Sequence, residues 1–325
     1  MAAAIGRHMP VDAEQFELLA SMEPFVSAEI AAHLARRKLW LPSELLAGAD
    51  GADPDAEMRD LRQAVRGLPD ALRVALAINL LTEEGLPHFH RLIASYMGNE
   101  SPWNRWNNIW TAEEDRHGCA LRDYLRDGRV LDIGALERLQ YAYIEAGFNP
   151  EWEDDPYRLL AYTSLQERAT QMAHANTGRA CARYEPRIQR VLAHISGDEL
   201  RHCMFYRNVF ARVLAEDPGR ALYALWRVMP ALAMPGLTIP GYEEMSEVVR
   251  RADIYGPRQY RRCVEELLAF WHIGDLSGLD GDGRHLQAKL MQIPARLERM
   301  ANHLEKRSVS RAFRFDFLDG RTIAS

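Results

Sequence analysis

The most constraining feature of the sequence is one spacing of acidic residues and histidine that occurs twice. In each half, a lone Glu is followed 31 or 32 residues later by a Glu-x-x-His motif: Glu83, Glu114 and His117 in the first half, and Glu167, Glu199 and His202 in the second. Positions i and i+3 of a helix share one face, so the Glu and the His of each motif can bind one metal centre. A separation of about 31 residues fits two long antiparallel helices, which bring the lone Glu level with the motif.

Helical periodicity surrounds these motifs and extends along most of the chain. Hydrophobic residues make up 47% of the sequence and aromatic residues only 9%, a balance that suits helices. Long helical patterns cover about 69–97, 102–128, 156–184 and 186–214, after a first helix at 12–37 and a loop at 45–55. Shorter patterns follow at 219–232, 242–252, 257–272 and 285–305, and the tail from Ser308 is either a short strand or a docked extended segment. We predict an all-α fold in one domain, residues 1–325, with a four-helix bundle at about 69–214 and further helices at about 219–305.

Two such helix pairs facing each other would gather four carboxylates and two imidazoles. This is the ligand set of carboxylate-bridged di-iron bundles, in which two helices supply one Glu each and two supply Glu-x-x-His. Carboxylate and imidazole ligands suit iron or manganese. A single Glu-x-x-His arises easily by chance on an exposed helix, but a matched upstream Glu in both halves does not. Glu83 and Glu167 also follow apolar helical segments, where an unpaired carboxylate is costly, so the sequence predicts a buried di-metal site.

Charge and cysteine content narrow the class of protein. A net charge of −6 argues against a general nucleic-acid binder. The four cysteines are widely spread and form no C-x-x-C pair, which is typical of reduced thiols in a cytoplasmic protein. The N-terminus lacks a long apolar segment, so we expect neither a signal peptide nor a transit peptide. No apolar run approaches the roughly 20 residues that span a bilayer, so we expect no membrane insertion.

Four segments of the sequence carry a more specific signal. LLTEEGLP (80–87), WTAEEDRHG (110–118), YTSLQERAT (162–170) and GDELRH (197–202) closely resemble the soluble acyl-carrier-protein desaturases, which include plastid stearoyl desaturases and bacterial relatives. The likeness runs from about residue 12 to the C-terminus in the same order. One departure is Asp115, where the family commonly has Asn, and this is not a ligand position. The resemblance implies a ferritin-like di-iron bundle elaborated with additional helices.

The resemblance also assigns roles at the metal site. It implies that Glu114 and Glu199 bridge two irons, that Glu83 and Glu167 are terminal ligands, and that His117 and His202 each bind one iron. Three further residues would assist: Thr170 beside the oxygen pocket, Asp198 orienting a ligand imidazole, and Trp40 on a route for electrons. The implied reaction uses O2 as co-substrate and electrons from a ferredoxin to insert a cis double bond into an acyl chain on acyl carrier protein. A bacterial cytoplasmic homodimer is expected.

Substrate contacts are also expected from the resemblance. Alignment places the closed end of the acyl tunnel near Leu92, Ser95, Tyr96, Trp152, Leu159 and Leu160. Tyr96, Trp152 and Leu159 are bulkier than their counterparts in the plant stearoyl enzymes, and a larger side chain shortens a tunnel. We therefore expect fewer carbons beyond the new double bond than stearate has. Candidates for docking the acidic carrier are Arg36, Arg37, Lys38 and Arg201.

Three other functions use related bundles. A ribonucleotide reductase small subunit carries a radical Tyr four residues after its first ligand His, and here that position is Leu121. A ferritin-type iron store is usually about half this length and lacks helices beyond residue 217. A silent relative that only binds acyl carrier protein would be expected to have lost at least one ligand. The complete ligand set favours the desaturase.

Overall fold

The computed structural model of the protein describes residues 13–45, 51, 53–97, 101–148, 150, 155–231, 235–307 and 311–324. Within these ranges the chain is almost entirely helical, and the predicted all-α fold with a four-helix core is confirmed. The residues before the core form α1 (Ala13–Ser21), α2 (Glu23–Arg36) and α3 (Pro54–Ala64). The core region follows as α4 (Asp70–Glu83), α5 (Leu86–Met97), α6 (Pro102–Gly128), α7 (Ile133–Ala146), α8 (Pro156–Cys181) and α9 (Pro186–Glu216).

Three of the four long core helices begin with the same local device. Ser101, Asp155 and Glu185 each accept a hydrogen bond from a backbone amide in the first turn of α6, α8 and α9. A proline follows each cap, where its missing N–H costs nothing and its fixed φ suits a helix. These caps explain why the starts of the predicted helices at 102, 156 and 186 agree with the structure.

Three segments that were each predicted as one helix are divided into two helices in the structure. The segment predicted at 12–37 breaks at Met22, the one at 69–97 breaks after Glu83, and the one at 285–305 breaks at Gln292. The cause is shared, because Pro24, Pro87 and Pro294 each lie second in the new helix and cannot donate to the carbonyl four residues earlier. The break after Glu83 is also held by Gly85, where an added Cβ would lie 2.3 Å from the Tyr143 hydroxyl. Helices α3 and α7 were not predicted at all.

The C-terminal part forms α10 (Pro218–Val228), α11 (Tyr242–Arg251), α12 (Pro257–Phe270), α13 (Gly281–Met291) and α14 (Ile293–Lys306). The tail forms two short antiparallel strands, β1 (Ala312–Arg314) and β2 (Thr322–Ala324), with Phe313 opposite Ile323. Phe313, Phe315 and Phe317 are buried against the core. The tail is therefore both paired as strands and docked, which combines the two options left open by the sequence.

A layer of buried polar residues separates two apolar cores. One core includes Trp106 and Trp110 of α6, Leu165 of α8 and Phe205 of α9. The other includes Leu121 of α6, with Leu76 and Leu80 of α4 and Leu192 and Ile195 of α9. On α6 and α9 the Glu-x-x-His motifs lie between the residues of the two cores, so the bundle presents them at one level. No helix in the described part of the chain is long and apolar enough to cross a membrane.

Candidate metal centre

Four helices bring the six predicted ligand side chains to one point inside the bundle. Helix α4 ends at Glu83, while the other five side chains come from the middle of α6, α8 and α9. All six are buried, and His117, Glu167 and His202 have no exposed surface. Helix geometry accounts for this, because each Glu-x-x-His places both side chains on the inward face of its helix.

The donor atoms form two overlapping groups of four, within each of which all atoms lie within 4.8 Å of one another. One group is Glu83, Glu114, His117 and Glu199, and the other is Glu114, Glu167, Glu199 and His202. Glu114 and Glu199 belong to both groups. The arrangement suits two metal ions with two shared carboxylates between them, and three carboxylates and one imidazole around each.

The electrostatics of the cluster fit a pair of divalent cations. Burial and the negative charge of Glu199 raise the pKa of the Glu114 and Glu167 carboxyl groups. Three donor atoms have no hydrogen-bond partner among the described residues: Glu167 Oε2, Glu199 Oε2 and His117 Nδ1. Glu114 Oε1 and His202 Nδ1 lie 2.8 Å apart but without hydrogen-bond geometry. Buried polar atoms without partners are costly, and metal coordination would satisfy all of them. Two ferrous ions would also balance four carboxylate charges.

The outer nitrogen of His117 is held by a carboxylate from another helix. Its Nε2 lies 3.2 Å from Oδ2 of Asp198, which also accepts a 2.7 Å hydrogen bond from the Trp40 indole. The Trp40 ring stacks on the imidazole with ring centres 6.2 Å apart. Arg116 donates to the Trp40 carbonyl and to Asp198, and Arg201 also donates to Asp198. Because a carboxylate only accepts, this contact places the proton on Nε2 and leaves Nδ1 free to face the cluster.

The outer nitrogen of His202 is held in the same way by a residue that the sequence analysis missed. Its Nε2 lies 2.8 Å from Oε2 of Glu113. His33 donates to Glu113 at 3.1 to 3.2 Å and Arg37 at 3.4 Å. The repeat itself could have identified Glu113, because an acid precedes the shared Glu in both motifs, as Glu113-Glu114 and Asp198-Glu199. No sequence signal identified His33, which approaches from α2.

Two further contacts to the lone acids were also missed. His174 Nε2 lies 2.7 Å from Oε1 of Glu83, and Trp110 Nε1 donates to Oε1 of Glu167 at 3.0 Å. Spacing carries a signal in both cases. His174 lies seven residues after Glu167, and Trp110 lies four residues before Glu114, so both share the inward face of a ligand helix.

Three cavities lie near the metal cluster. The largest, of about 690 Å³, lies between α5, α6 and α7 and is lined by Glu83 and Glu114. The other two share Thr82 and Thr170 as lining residues. A cavity of about 390 Å³ lies between α4, α8 and α11 and reaches Thr82, Thr170 and His174. A void of about 20 Å³, also lined by Thr82 and Thr170, lies against Glu83, Glu114, Phe89 and Trp110. The predicted residue Thr170 therefore lies where the two spaces meet. Its hydroxyl donates to the carbonyls of Gln166 and Glu167 in its own helix.

The residues predicted at the tunnel end lie away from these cavities. Leu92, Leu159 and Leu160 are buried in the same apolar core as Phe89, and Tyr96 is half-buried against it. Ser95 is exposed, and its hydroxyl donates to the Arg91 carbonyl. Trp152 lies outside the described residues. Phe89 itself packs at 5.1 Å on Phe148 and at 6.3 Å on Tyr162, measured between ring centres.

The four predicted docking cations divide into two pairs. Arg36 and Lys38 are exposed at the end of α2. Arg37 and Arg201 are half-buried and bind Glu113 and Asp198, the two acids that hold the ligand imidazoles. The second pair is therefore part of the surroundings of the metal cluster.

Comparisons with known proteins match most of the chain. A family model described as fatty acid desaturase matches residues 14–319. DesA1 of Mycobacterium tuberculosis, an acyl-(acyl-carrier-protein) desaturase by name, is 34% identical over 298 residues, covering 89% of this chain and 88% of its own. The chloroplastic stearoyl-(acyl-carrier-protein) 9-desaturase of Gossypium hirsutum is 30% identical over 310 residues, covering 90% of this chain and 78% of its own.

A solved structure shares the fold. The X-ray structure of DesA2 from Mycobacterium tuberculosis superposes with a TM-score of 0.61 at 22% sequence identity. The match covers 85% of this chain and 99% of DesA2. At this level of identity the likeness establishes the helical architecture.

Proposed function

The chain belongs to the fatty acid desaturase family of oxidoreductases, and we propose that it inserts a cis double bond into a saturated acyl chain carried on acyl carrier protein. The observation that carries this proposal is the pair of buried four-residue groups that share Glu114 and Glu199. We propose all six side chains as ligands of two iron ions. Stearoyl and acyl substrates on acyl carrier protein appear in the names of the relatives, which supports the substrate class.

The metal pair supplies the part of the chemistry that side chains cannot. Two irons, when bound, reduce O2 and provide an oxidant strong enough to remove hydrogen from an unactivated carbon. The protein positions this chemistry and keeps water away from it, because the ligands lie between two apolar cores. The reaction uses four electrons, two from the substrate C–H bonds and two from an external donor, and reduces O2 to two waters.

Thr170 is the proposed residue for handling protons beside the metals. Thr170 is buried and lines both the small void and the cavity of about 390 Å³. It is anchored on the carbonyls of its own helix, which fixes the oxygen at the point where O2 and substrate would meet. A hydroxyl that keeps acceptor capacity there can relay a proton toward the cluster.

The cavity of about 390 Å³ that reaches Thr170 is the proposed path of the acyl chain. Apolar side chains line much of it, among them Ala75, Ile78, Val249 and Ile254, and its inner end lies at Thr82 and Thr170 beside the cluster. Its outer part lies between α11 and the start of α12. Carrier protein would have to dock within reach of this opening. Arg36 and Lys38 remain docking candidates as exposed cations, but they lie at the end of α2, which packs on α6 and α9, and no residue of α2 lines this cavity.

The aromatic group of Phe89, Phe148 and Tyr162 supports a short chain beyond the new double bond. Phe89 forms a wall of the small void next to the cluster, and the other two rings pack behind it. The void is about the size of one water, so an acyl tail must displace these rings to pass. We propose a preferred substrate shorter than stearate.

The electron donor, the assembly and the location are also proposals. Trp40 stacks on His117 and shares Asp198 with it, which supports a route for electrons from a ferredoxin. Four unpaired cysteines support a reducing cytoplasm. A homodimer is proposed from the resemblance to the family.

Turnover tests the reaction and the chain length together. Iron-loaded protein is incubated with acyl carrier thioesters of graded length, ferredoxin, its reductase and O2, and the products are identified by mass spectrometry. We expect one monounsaturated product per O2 consumed, no product without O2 or ferredoxin, and a preference for chains shorter than stearoyl. A hydroxylated product, or none from iron-loaded protein, would contradict desaturation, and a preference for stearoyl would contradict the short tunnel.

A variant pair examines the aromatic group directly. Phe148→Leu makes room behind Phe89, so the preferred chain should lengthen. Phe210→Leu is the matched control, because Phe210 is buried in the same core but packs on Trp271. Each change should cost about 1–2 kcal/mol of stability, and only the first should shift the length preference. An identical length preference in both variants would show that the aromatic group does not set it.

A further inference from the structure

The support of His202 continues outward beyond Glu113. His33, from α2, donates through Nε2 to both oxygens of Glu113, at 3.2 and 3.1 Å. Glu113 in turn accepts from His202 Nε2 at 2.8 Å. All three residues are buried, so the chain of contacts is shielded from solvent. Among the described residues, Arg37 alone adds a further donor to Glu113, at 3.4 Å, and its side chain is one-third exposed.

We propose that His33 is a positioning residue for the second metal ion: it fixes Glu113, and Glu113 fixes the ligand imidazole of His202. This inference rests on the proposed di-iron centre. The acid on α6 must reach across to α9, and a Glu side chain has three rotatable bonds that burial alone does not lock. A second donor on the same carboxylate selects the one orientation that also accepts from His202.

His33 is itself held so that it can serve this purpose. Its ring is perpendicular to the Trp106 ring at 5.0 Å and stacks on His202 at 5.9 Å, measured between ring centres. Helix α2 packs against both α6 and α9, the two helices that the contact chain joins. The imidazole is therefore fixed before any metal binds, and its orientation is transmitted to Glu113 without a large entropy cost.

The other half of the site shows what such a support does. Asp198 holds His117 and is fixed by the Trp40 indole and by Arg116 and Arg201. Glu113, the acid that holds His202, accepts from the His33 ring and, at 3.4 Å, from Arg37. Loss of His33 should therefore disturb the orientation of the His202 imidazole, because Arg37 alone leaves the Glu113 side chain free to rotate. A buried histidine that merely fills space would predict no such effect on one metal ion.

The test is iron binding by purified apoprotein with three variants. His33→Phe keeps the ring and removes both nitrogens, and His33→Gln keeps a donor near the position of Nε2. His88→Phe is the matched control, since His88 is a buried histidine that contacts the Tyr143 carbonyl and no ligand acid. Iron stoichiometry and affinity are measured by anaerobic titration with ferrous ion. The Mössbauer spectrum then reports the two iron environments separately.

We expect the His33→Phe variant to bind one iron about 10- to 100-fold more weakly and to alter one of the two Mössbauer environments. The His33→Gln variant should recover most of the affinity, and His88→Phe should leave both irons unchanged. Equal and unchanged affinity for both irons in His33→Phe would overturn the proposal, as would equal weakening of both. Wild-type protein that binds fewer than two irons would instead contradict the proposed function.

A double variant keeps the test decisive if His33→Phe folds poorly. Glu113→Gln should weaken the same iron, and adding His33→Leu, which removes both ring nitrogens, should cause no further loss, because His33 acts through Glu113. Additive losses in affinity would show that His33 acts on its own, and would overturn the positioning role.

Discussion

The two halves of the metal centre use the same ligands but different surroundings. In the first half, Glu83 ends its helix, lines the small void and accepts a hydrogen bond from His174. In the second half, Glu167 lies in the middle of α8, is fully buried and accepts from Trp110. The small void is lined by Glu83 and Glu114 and by neither Glu167 nor Glu199. The first half is therefore the open face, and the second is the closed one.

The comparison shows how a repeated motif can serve unequal tasks. Spacing along a helix sets the ligands, so it is the same in both halves. The outer supports come from other elements, which are not repeated: Trp40 follows α2, and His33 lies within it. A symmetric ligand set can thus have one side reached by substrate and O2 and another protected from solvent.

The largest expected effect on iron binding comes from removing a ligand that both metal ions share. Glu199→Ala removes a carboxylate common to both groups, so both irons and all turnover should be lost. Glu83→Ala removes a ligand of the open half only, so one iron should remain. Iron analysis and the diferric absorption band measure this, with Glu145→Ala on the surface of α7 as control. Retention of one iron by the Glu199 variant would break the assignment of the shared carboxylates.

The second-largest effect concerns electron transfer to the metal centre through Trp40. Trp40→Phe removes the indole donor to Asp198 but leaves all six ligands, so the protein should still bind two irons. Turnover supported by ferredoxin should fall about tenfold, comparable to the loss of an outer metal support. A single turnover of chemically reduced protein should be nearly unchanged. If both rates fall equally, Trp40 acts on the metal site itself and not on electron supply.

The smallest effect is a difference in pH dependence between the halves. Burial opposes ionisation of Glu83, but hydrogen bonds from His117 and His174 lower its pKa overall. Burial and the charge of Glu199 raise the pKa of Glu167 well above its usual value. Without metal, Glu167 therefore keeps its proton to a higher pH than Glu83 does, and that proton must leave before a metal binds there.

The sign of the pH effect follows from that difference. Iron affinity of the second half should fall more steeply as pH decreases, by about tenfold per pH unit for each proton displaced. The first half should change less, although His117 must also lose a proton, since carboxylates raise its pKa against burial. Ferrous titrations at several pH values, with proton release followed by an indicator, measure the binding of each of the two irons. Identical pH dependence at the two steps would remove the distinction between the halves.

The sequence predicted the features that depend on neighbours along one helix. Ligand pairs at i and i+3, and helix starts marked by Ser101, Asp155 and Glu185, are local and could be read directly. The divisions at Pro24 and Pro294 were missed because a helical pattern of apolar residues continues across each proline. His33 and Glu113 meet only after α2 packs against α6 and α9, so no spacing in the sequence relates them. Contacts of that kind depend on tertiary structure.

Diffraction at the iron absorption edge from crystals of iron-loaded protein tests the central claim most directly. The account predicts two anomalous peaks per chain, both within bonding distance of Glu114 and Glu199. One peak should lie beside Glu83 and His117 and the other beside Glu167 and His202. A single peak, or a peak among His33, Glu113 and His202 in place of the second, would contradict it.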